Sequence, residues 1–417
     1  MSSSLTIGES TPLANQVAGH DGVMSDASGS LVIKPALPRE IAFYQTLNSS
    51  SREDPIRKLK PFVPKFYGTL RLEGQLSSEG DIKGLPGKEE IPESVVIQNL
   101  SYAFTHPNII DVKLGKVLYG PDASEEKKYR MDKQARDTTT HETGIRLTGF
   151  TTWHEPTQSY IVTPKSFGKT ISVSQLPEGM KRFFPLPNDV VPSLVSASPT
   201  KSQSELEIIP EKTGVSLESG IPPTPITASN APSSESASSE NKPQEYTNHT
   251  IRPDCMIKVL DLILEEIDKL FSVLSELEIR FVGASLLIVY EGDSSKLPKS
   301  LEKLEKKKAL NLLKANKINE QRSAFSDDGS IYSSSNDSDF EDDFENEEGD
   351  DEILNEDEEE NKIKLECSPI KLKLIDFAHT WLTPEEGPDQ GVLLGLQTLK
   401  SLIEGRKDQI ESAQKHS

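Results

Sequence analysis

Cysteine is nearly absent. The 417 residues hold two, Cys255 and Cys367, too few for a disulfide scaffold or a Cys-based zinc site and suited to a reducing compartment. Long apolar runs are missing too. The strongest, Ala284 to Tyr290, falls far short of the ~20 residues that cross a bilayer. Met1 to Thr11 is polar, so no secretory signal is expected. Lys and Arg (46) are outnumbered by Asp and Glu (67), which excludes the overall basicity of a nucleic-acid binder. Apolar residues at 34% and aromatics at 6% are too lean for a chain packed throughout. A soluble protein of the nucleus and cytoplasm is expected, with long segments outside any core.

The charge that is present is unevenly placed. Between Ser323 and Asn361 stand 18 Asp or Glu and no Lys or Arg, so the net −21 falls to about −3 for the rest of the chain. The low pI belongs to that one tract, which like-charge repulsion keeps extended. The tract closes an insertion, Ser294 to Glu366, whose first part, Lys296 to Lys317, carries 8 Lys against two Glu. Leu297, Leu301 and Leu304 share a helical face there, which predicts a short amphipathic helix. An earlier insertion, Val191 to Glu245, crowds 13 Ser and 8 Pro together. It buries too little to offset its chain entropy and reads as disordered.

Three blocks remain. The first is rich in strand signals: Leu31 to Lys34, Val95 to Ile97, Ile109 to Leu114, Ile145 to Phe150 and Tyr160 to Val162, with a helix from Pro38 to Leu47 and a Gly/Glu-rich loop between Leu70 and Glu93. The second opens with Met256, Leu260, Ile263, Ile267, Leu270, Leu274 and Leu277, spaced alternately by 4 and 3, a long helical stripe. A buried strand, Ala284 to Tyr290, follows. The third holds a strand, Leu372 to Ile375, and a helix from Val392 to Ile403. Strands first and helices later, interrupted by long inserts, predict a two-lobed α+β enzyme.

Several segments could carry chemistry. In a strand over 109–114, Ile110, Val112 and Leu114 face one way, and Asp111 and Lys113 share the other face. A carboxylate beside an ammonium serves phosphoryl transfer: one orients or deprotonates a hydroxyl, the other holds phosphate oxygens. The same pattern also describes a surface ion pair. Asp376, at the end of an apolar strand, suits a metal-holding carboxylate or a turn-capping one. His379 could donate to an anion or simply satisfy a local hydrogen bond. Lys34 on an early strand could reach nucleotide phosphates or face water. Val95 to Leu100 could be an adenine-contacting connector or a plain strand end. Lys127 and Arg130 share a helical face with Gln134, either a polyanion grip or a solvated surface. Phe167-Gly-Lys-Thr170 looks like the end of a P-loop, but the required first Gly would be Thr163, so the motif fails. The protein-kinase set fails as well: no H-R-D loop occurs, and Asp376-Phe377 continues into Ala378.

Together these segments resemble the inositol polyphosphate kinase family. Pro107-Asn-Ile-Ile-Asp111-Val-Lys113-Leu-Gly115 matches its P-x-x-x-D-x-K-x-G signature. Ala284-Ser285-Leu286-Leu287 matches its S-S-L-L element with the first Ser replaced. Ile375-Asp376-Phe377-Ala378-His379 matches its I-D-F-A-H element. Gln16 to His20, Pro64 to Gly68, Tyr290-Glu-Gly292 and the acidic insert look most like the fungal multikinase branch. The resemblance implies a two-lobed protein-kinase- or ATP-grasp-like fold. Residues 12–105 would form the nucleotide-binding lobe; 106–190, 246–293 and 367–412 would form the catalytic lobe; 191–245 and 294–366 would be inserts. It implies Mg2+ and ATP between the lobes, and phosphorylation of inositol trisphosphate and tetrakisphosphate toward the pentakisphosphate. Carried over, Lys34, Gln98, Leu100, Asp111 and Asp376 would contact ATP, with Asp376 holding the metal. Lys113, Lys127, Arg130, Lys133, Gln134 and His379 would contact the inositol phosphate, and Asp111 and Lys113 would be catalytic. Two other readings stand beside this one. The acidic tract would recruit basic nuclear proteins or transcription factors, or the basic segment would bring the chain transiently to a membrane for phosphoinositide lipid phosphorylation.

Overall fold

A computed structural model of the chain describes residues 10–13, 22–71, 75–76, 82–83, 93–192, 245–324 and 368–415. The Gln16–His20 segment, most of the Gly/Glu-rich loop, most of the Ser/Pro-rich insert, Cys367 and the acidic tract beyond Ala324 lie outside the described residues.

The β-branched runs of the first block pair into a five-stranded antiparallel sheet. It is built from β1 (Thr11–Pro12), β2 (Met24–Ser25), β3 (Leu31–Pro35), β4 (Phe66–Arg71) and β7 (Glu93–Gln98), in the order β1-β2-β3-β7-β4. A short pair, β5 (Gln75–Leu76) and β6 (Ile82–Lys83), lies between β4 and β7 in the chain. Helix α1 (Pro38–Ser49) starts on a proline whose missing N–H costs nothing at that position. It buries Ile41, Phe43, Tyr44 and Leu47.

A second five-stranded antiparallel sheet follows, in the order β10-β9-β8-β14-β15. Its strands are β8 (Pro107–Leu114), β9 (Ile145–His154), β10 (Ser159–Thr163), β14 (Ser285–Glu291) and β15 (Ile370–Ile375). Helices α2 (Glu125–Arg136) and α3 (Thr140–Thr143) join β8 to β9, and α4 (Lys165–Thr170) and α5 (Leu176–Phe183) follow β10. The expected stripe forms α6 (Pro253–Glu276), with Met256, Leu260, Ile263, Ile267, Leu270 and Leu274 all buried. One sheet face, carrying Ile110, Val112, Leu286, Ile288, Leu372 and Leu374, is buried in the main core with α6 and the last helix, α8 (Gln390–Lys415). The other face turns toward the first sheet.

Several boundaries differ from the sequence reading, each for a packing reason. α8 runs well past Ile403. Its stripe continues through Arg406 and Ile410, and Arg406 is buried because its guanidinium donates to the Phe184 carbonyl and pairs with Asp189. The charge there hides the apolar period. The basic segment is not a loose insert at its start. Helix α7 (Lys296–Ala324) buries Leu297 and Leu301 in the core and is tied to α6 by Lys258–Glu305 and Lys308–Glu265. The Ser/Pro-rich insert is closed at its base by an antiparallel pair, β11 (Val191–Pro192) with β12 (Glu245–Tyr246). Gly168, in the failed P-loop match, sits in α4 where a Cβ would lie 1.7 Å from the Leu147 carbonyl oxygen. It is a close-packing glycine between helix and strand.

Candidate active site

Antiparallel register sets the site. Residues opposite each other share a face. On the face turned to the first sheet, Arg146, Lys113, Ser285 and Ile375 form one cross-strand row, and Gly149, Asp111, Leu287 and Lys373 form the next. Asp111 and Lys113 therefore lie two positions apart on one surface, as alternation along β8 requires.

Asp376 joins them from the end of β15. Its backbone is left-handed (φ 68°), a conformation Asp tolerates better than most residues. The Phe377 ring that follows is stacked on Phe43 (4.2 Å) and set edge-on to Tyr44 (5.4 Å) of α1. The aromatic contact anchors the turn and presents the carboxylate. Lys34 of β3 donates to Asp376 at 2.7 Å and to Glu40 of α1 at 2.9 Å. Lys113 donates to the Gly283 carbonyl (2.6 Å), the Ser285 hydroxyl (3.0 Å) and Asp376 (3.4 Å). Two ammonium groups thus converge on one aspartate, one from each sheet.

The two aspartates have opposite electrostatics. Burial pushes the Asp376 carboxyl up, but Lys34 and Lys113 outweigh it and hold its pKa below the usual value. Asp111 is 3% exposed. Burial raises its pKa above the usual value, Lys113 lowers it only in part, and Asp376 adds to the rise. Hydrogen bonds from Ser285 and Thr148 lower it in part, while Asp111 Oδ1 has no hydrogen-bond partner. Beside it, Arg146 is buried with its NH1 unpartnered. Burial lowers its pKa and Asp111 partly restores it, yet a guanidinium stays charged at any physiological pH.

Further along the cleft, α2 begins on Ser124, whose side chain accepts from the Lys127 N–H. Lys127 and Arg130 are exposed and Gln134 is half-buried. Lys133 is placed differently from the expectation: it pairs with Asp137 along the helix, and its electrostatic neighbours are Asp137, Tyr129 and Arg136, none of them a cleft residue. Six residues from Lys127 is most of two turns, so the two lysines cannot share one face. His379 has its pKa lowered by burial first, then by Lys127 and by Arg39 of α1. Three basic side chains from three elements thus act on one region. An NMR titration of His379 is expected to give a midpoint below its ordinary 6.5, moving up in Lys127→Ala and in Arg39→Ala. A midpoint indifferent to both changes would show that those cations do not act on the imidazole.

At the connector, the Gln98 N–H donates to the Lys65 carbonyl (2.9 Å), so of its backbone groups the N–H is already committed. The Leu100 N–H makes no backbone hydrogen bond among the described residues. Leu100 packs with Phe104, Ile109 and Val289, and the half-buried Leu287 and Ile375 border that cluster. Leu287 and Ile375 give the cleft a flat apolar floor.

Glu40, Arg39, Arg146, Leu287 and Ile375 were not singled out from the sequence. Glu40 had a readable signal: a charge at the first position of the 40–44–47 stripe of α1. The others needed the register.

The family model described as inositol polyphosphate kinase matches residues 94–205 and 234–404. The inositol polyphosphate multikinase of Schizosaccharomyces pombe is 32% identical over 175 residues, covering 40% of this chain and 61% of that protein. That of Saccharomyces cerevisiae is 28% identical over 221 residues, covering 44% and 62%. The chain thus spans about three fifths of the length of these curated relatives. In fold it is similar to a crystal structure of the S. cerevisiae inositol phosphate multikinase in complex with ADP and Mn2+, with 20% identity, a TM-score of 0.50, and coverage of 90% of this chain and 99% of that one. Two facing sheets with a carboxylate–ammonium cleft between them, and a family match over most of the length, place the chain in the inositol polyphosphate kinase family.

Proposed function

We propose that the chain is an ATP-dependent kinase of inositol polyphosphates, acting on inositol trisphosphate and tetrakisphosphate toward the pentakisphosphate. The observation that supports it best is the convergence of Lys34, from one sheet, with Lys113, Asp111 and Asp376, from the other, on one cleft, with Arg146, its NH1 without a hydrogen-bond partner, in the same row as Lys113. Polyphosphate substrates need such a local positive patch, and a chain near −3 outside its acidic tract allows one.

Lys34 and Lys113 would hold phosphate oxygens of the nucleotide. Asp111 would accept the proton of the attacking inositol hydroxyl. That oxygen bonds to the γ-phosphorus as the bond to the β–γ bridging oxygen breaks. Raised basicity makes Asp111 a better acceptor. Arg146, Lys127 and His379 would face the substrate's other phosphates. Among the described residues no group of three or more His, Cys, Asp or Glu converges. Asp376, and Asp111 through its orphaned oxygen, fit Mg2+, which takes one or two carboxylates and otherwise phosphate oxygens. Bound there, the ion would neutralise charge on the transferred group. Leu287 and Ile375 suit the adenine ring. Recruitment of basic nuclear partners through the acidic tract, which lies outside the described residues, is a second reading beside this chemistry.

Purified protein with Mg-ATP and inositol trisphosphate is expected to yield higher phosphates on anion-exchange chromatography. Arg146→Ala and Lys127→Ala should each raise the KM for the inositol phosphate about tenfold, the scale of one charge-assisted hydrogen bond, and leave the KM for ATP unchanged. Arg146 NH1 has no hydrogen-bond partner to lose, so Arg146→Ala should not unfold the protein. An absence of product from every inositol phosphate isomer would overturn the reading.

A further inference from the structure

A cavity of about 630 Å3 opens between the segment that follows β8, the pair β13 (Ile279–Phe281) with β16 (Thr380–Leu382), and the start of α8. Lys116, Tyr119, Arg280, Val282, Trp381 and Thr383 line it. None of these is used by the cleft chemistry. The wall it shares with the cleft is the run 281–283: the Val282 N–H donates to the His379 carbonyl (2.9 Å), and the Gly283 carbonyl accepts from Lys113.

Most polar groups in the cavity are committed. Arg280 donates to the Gly387 carbonyl (2.7 Å) and to Glu386 (3.4 Å). Asp389 accepts from the Phe281 N–H (3.1 Å) and caps α8 through the Gly391 and Val392 N–H groups. Two groups are left over. Thr383 is 7% exposed, and its hydroxyl has no hydrogen-bond partner. Lys116 is half-buried and has no carboxylate partner among the described residues. Tyr119, its hydroxyl directed to Asp132 (3.5 Å), and Trp381 supply flat apolar walls.

An orphaned buried hydroxyl is a cost that a ligand oxygen would relieve. With Arg280 committed to Glu386 and the Gly387 carbonyl, Lys116 is the cation left beside two aromatic rings, a pairing that recognises a flat molecule with one negative group. We propose that this cavity is a second ligand site, taking a planar aromatic molecule with a single carboxylate. The ring lies against Tyr119 and Trp381, and the carboxylate accepts from Lys116 and from the Thr383 hydroxyl. The site is independent of the proposed kinase reaction, and its test needs no turnover.

The chain has two tryptophans. Trp153 stacks on His106 at 3.8 Å, away from this cavity, so Trp153→Phe keeps an aromatic contact and leaves Trp381 as the sole indole. In that background, 4-nitrobenzoate is expected to quench Trp381 emission to saturation. Lys116→Ala, or Lys116→Gln if the shorter side chain loosens the segment, should weaken the probe about tenfold, and the isosteric Thr383→Val about threefold. Nitrobenzene, which lacks the carboxylate, should quench without saturating. Quenching by 4-nitrobenzoate that rises linearly, or that saturates at the same concentration in the Lys116 variants, would overturn the proposal.

Discussion

Asp376→Asn is expected to lower phosphoryl transfer on the order of a thousandfold, the scale seen when one preorganised charge-stabilising group is lost, and to destabilise the protein as well. Asp376 is the shared acceptor of Lys34 and Lys113. Its folded pKa is held below the unfolded one, so its stabilising contribution is present above the unfolded value and fades as pH falls through the folded one. At neutral pH the substitution removes that contribution and leaves Lys34 with Glu40 alone, a loss of about 3 kcal/mol, the scale for removing one partner of a buried pair. Asparagine keeps the shape and tolerates φ 68°. Alanine would add about 1 kcal/mol of left-handed strain, which makes Asn the cleaner variant. Kinase assays and thermal melts across pH 4 to 8 check both parts. An active Asp376→Asn enzyme would end the metal assignment.

Asp111→Asn is expected to be as inactive and yet more stable. Burial keeps the folded pKa of Asp111 above its unfolded value. The stability this group contributes is therefore complete below the unfolded pKa and lost as pH rises through the folded one. At neutral pH the ionised carboxylate, with its orphaned Oδ1, is a cost that function retains and a neutral amide removes. Turnover should fall about 10²- to 10⁴-fold, the range for a general base. The melting temperature should exceed that of the parent at pH 7, and the difference should shrink as pH drops toward the unfolded pKa. A lower melting temperature at pH 7 would show that Asp111 is a structural anion. The two substitutions, on one cleft, should move stability in opposite directions.

Much of this site could be read along the chain because its parts lie on regular elements. Asp111 and Lys113 stand out against Ile110, Val112 and Leu114 through the two-residue period of β8, and α6 announced itself by its apolar stripe. Arg146 could not be read that way. On β9 it alternates with Ile145 and Leu147 and looks like any solvent-facing residue; only its position beside Lys113 shows that its face is the cleft. Leu287 and Ile375 looked like ordinary core residues until β14 was seen flanked by β8 and β15. Lys133 came only from the resemblance; in the fold it is exposed and paired with Asp137 along α2.

The amino-acid sequence alone determined which segments become strands and helices, which face of each is apolar, and that the net negative charge sits in one tract, because those properties depend on neighbours a few residues apart. The tertiary structure alone decided that Lys34, Asp111, Arg146 and Asp376 share a cleft. Strand order and register are chosen by which apolar faces can be buried together, a condition on the whole chain that no local stretch contains.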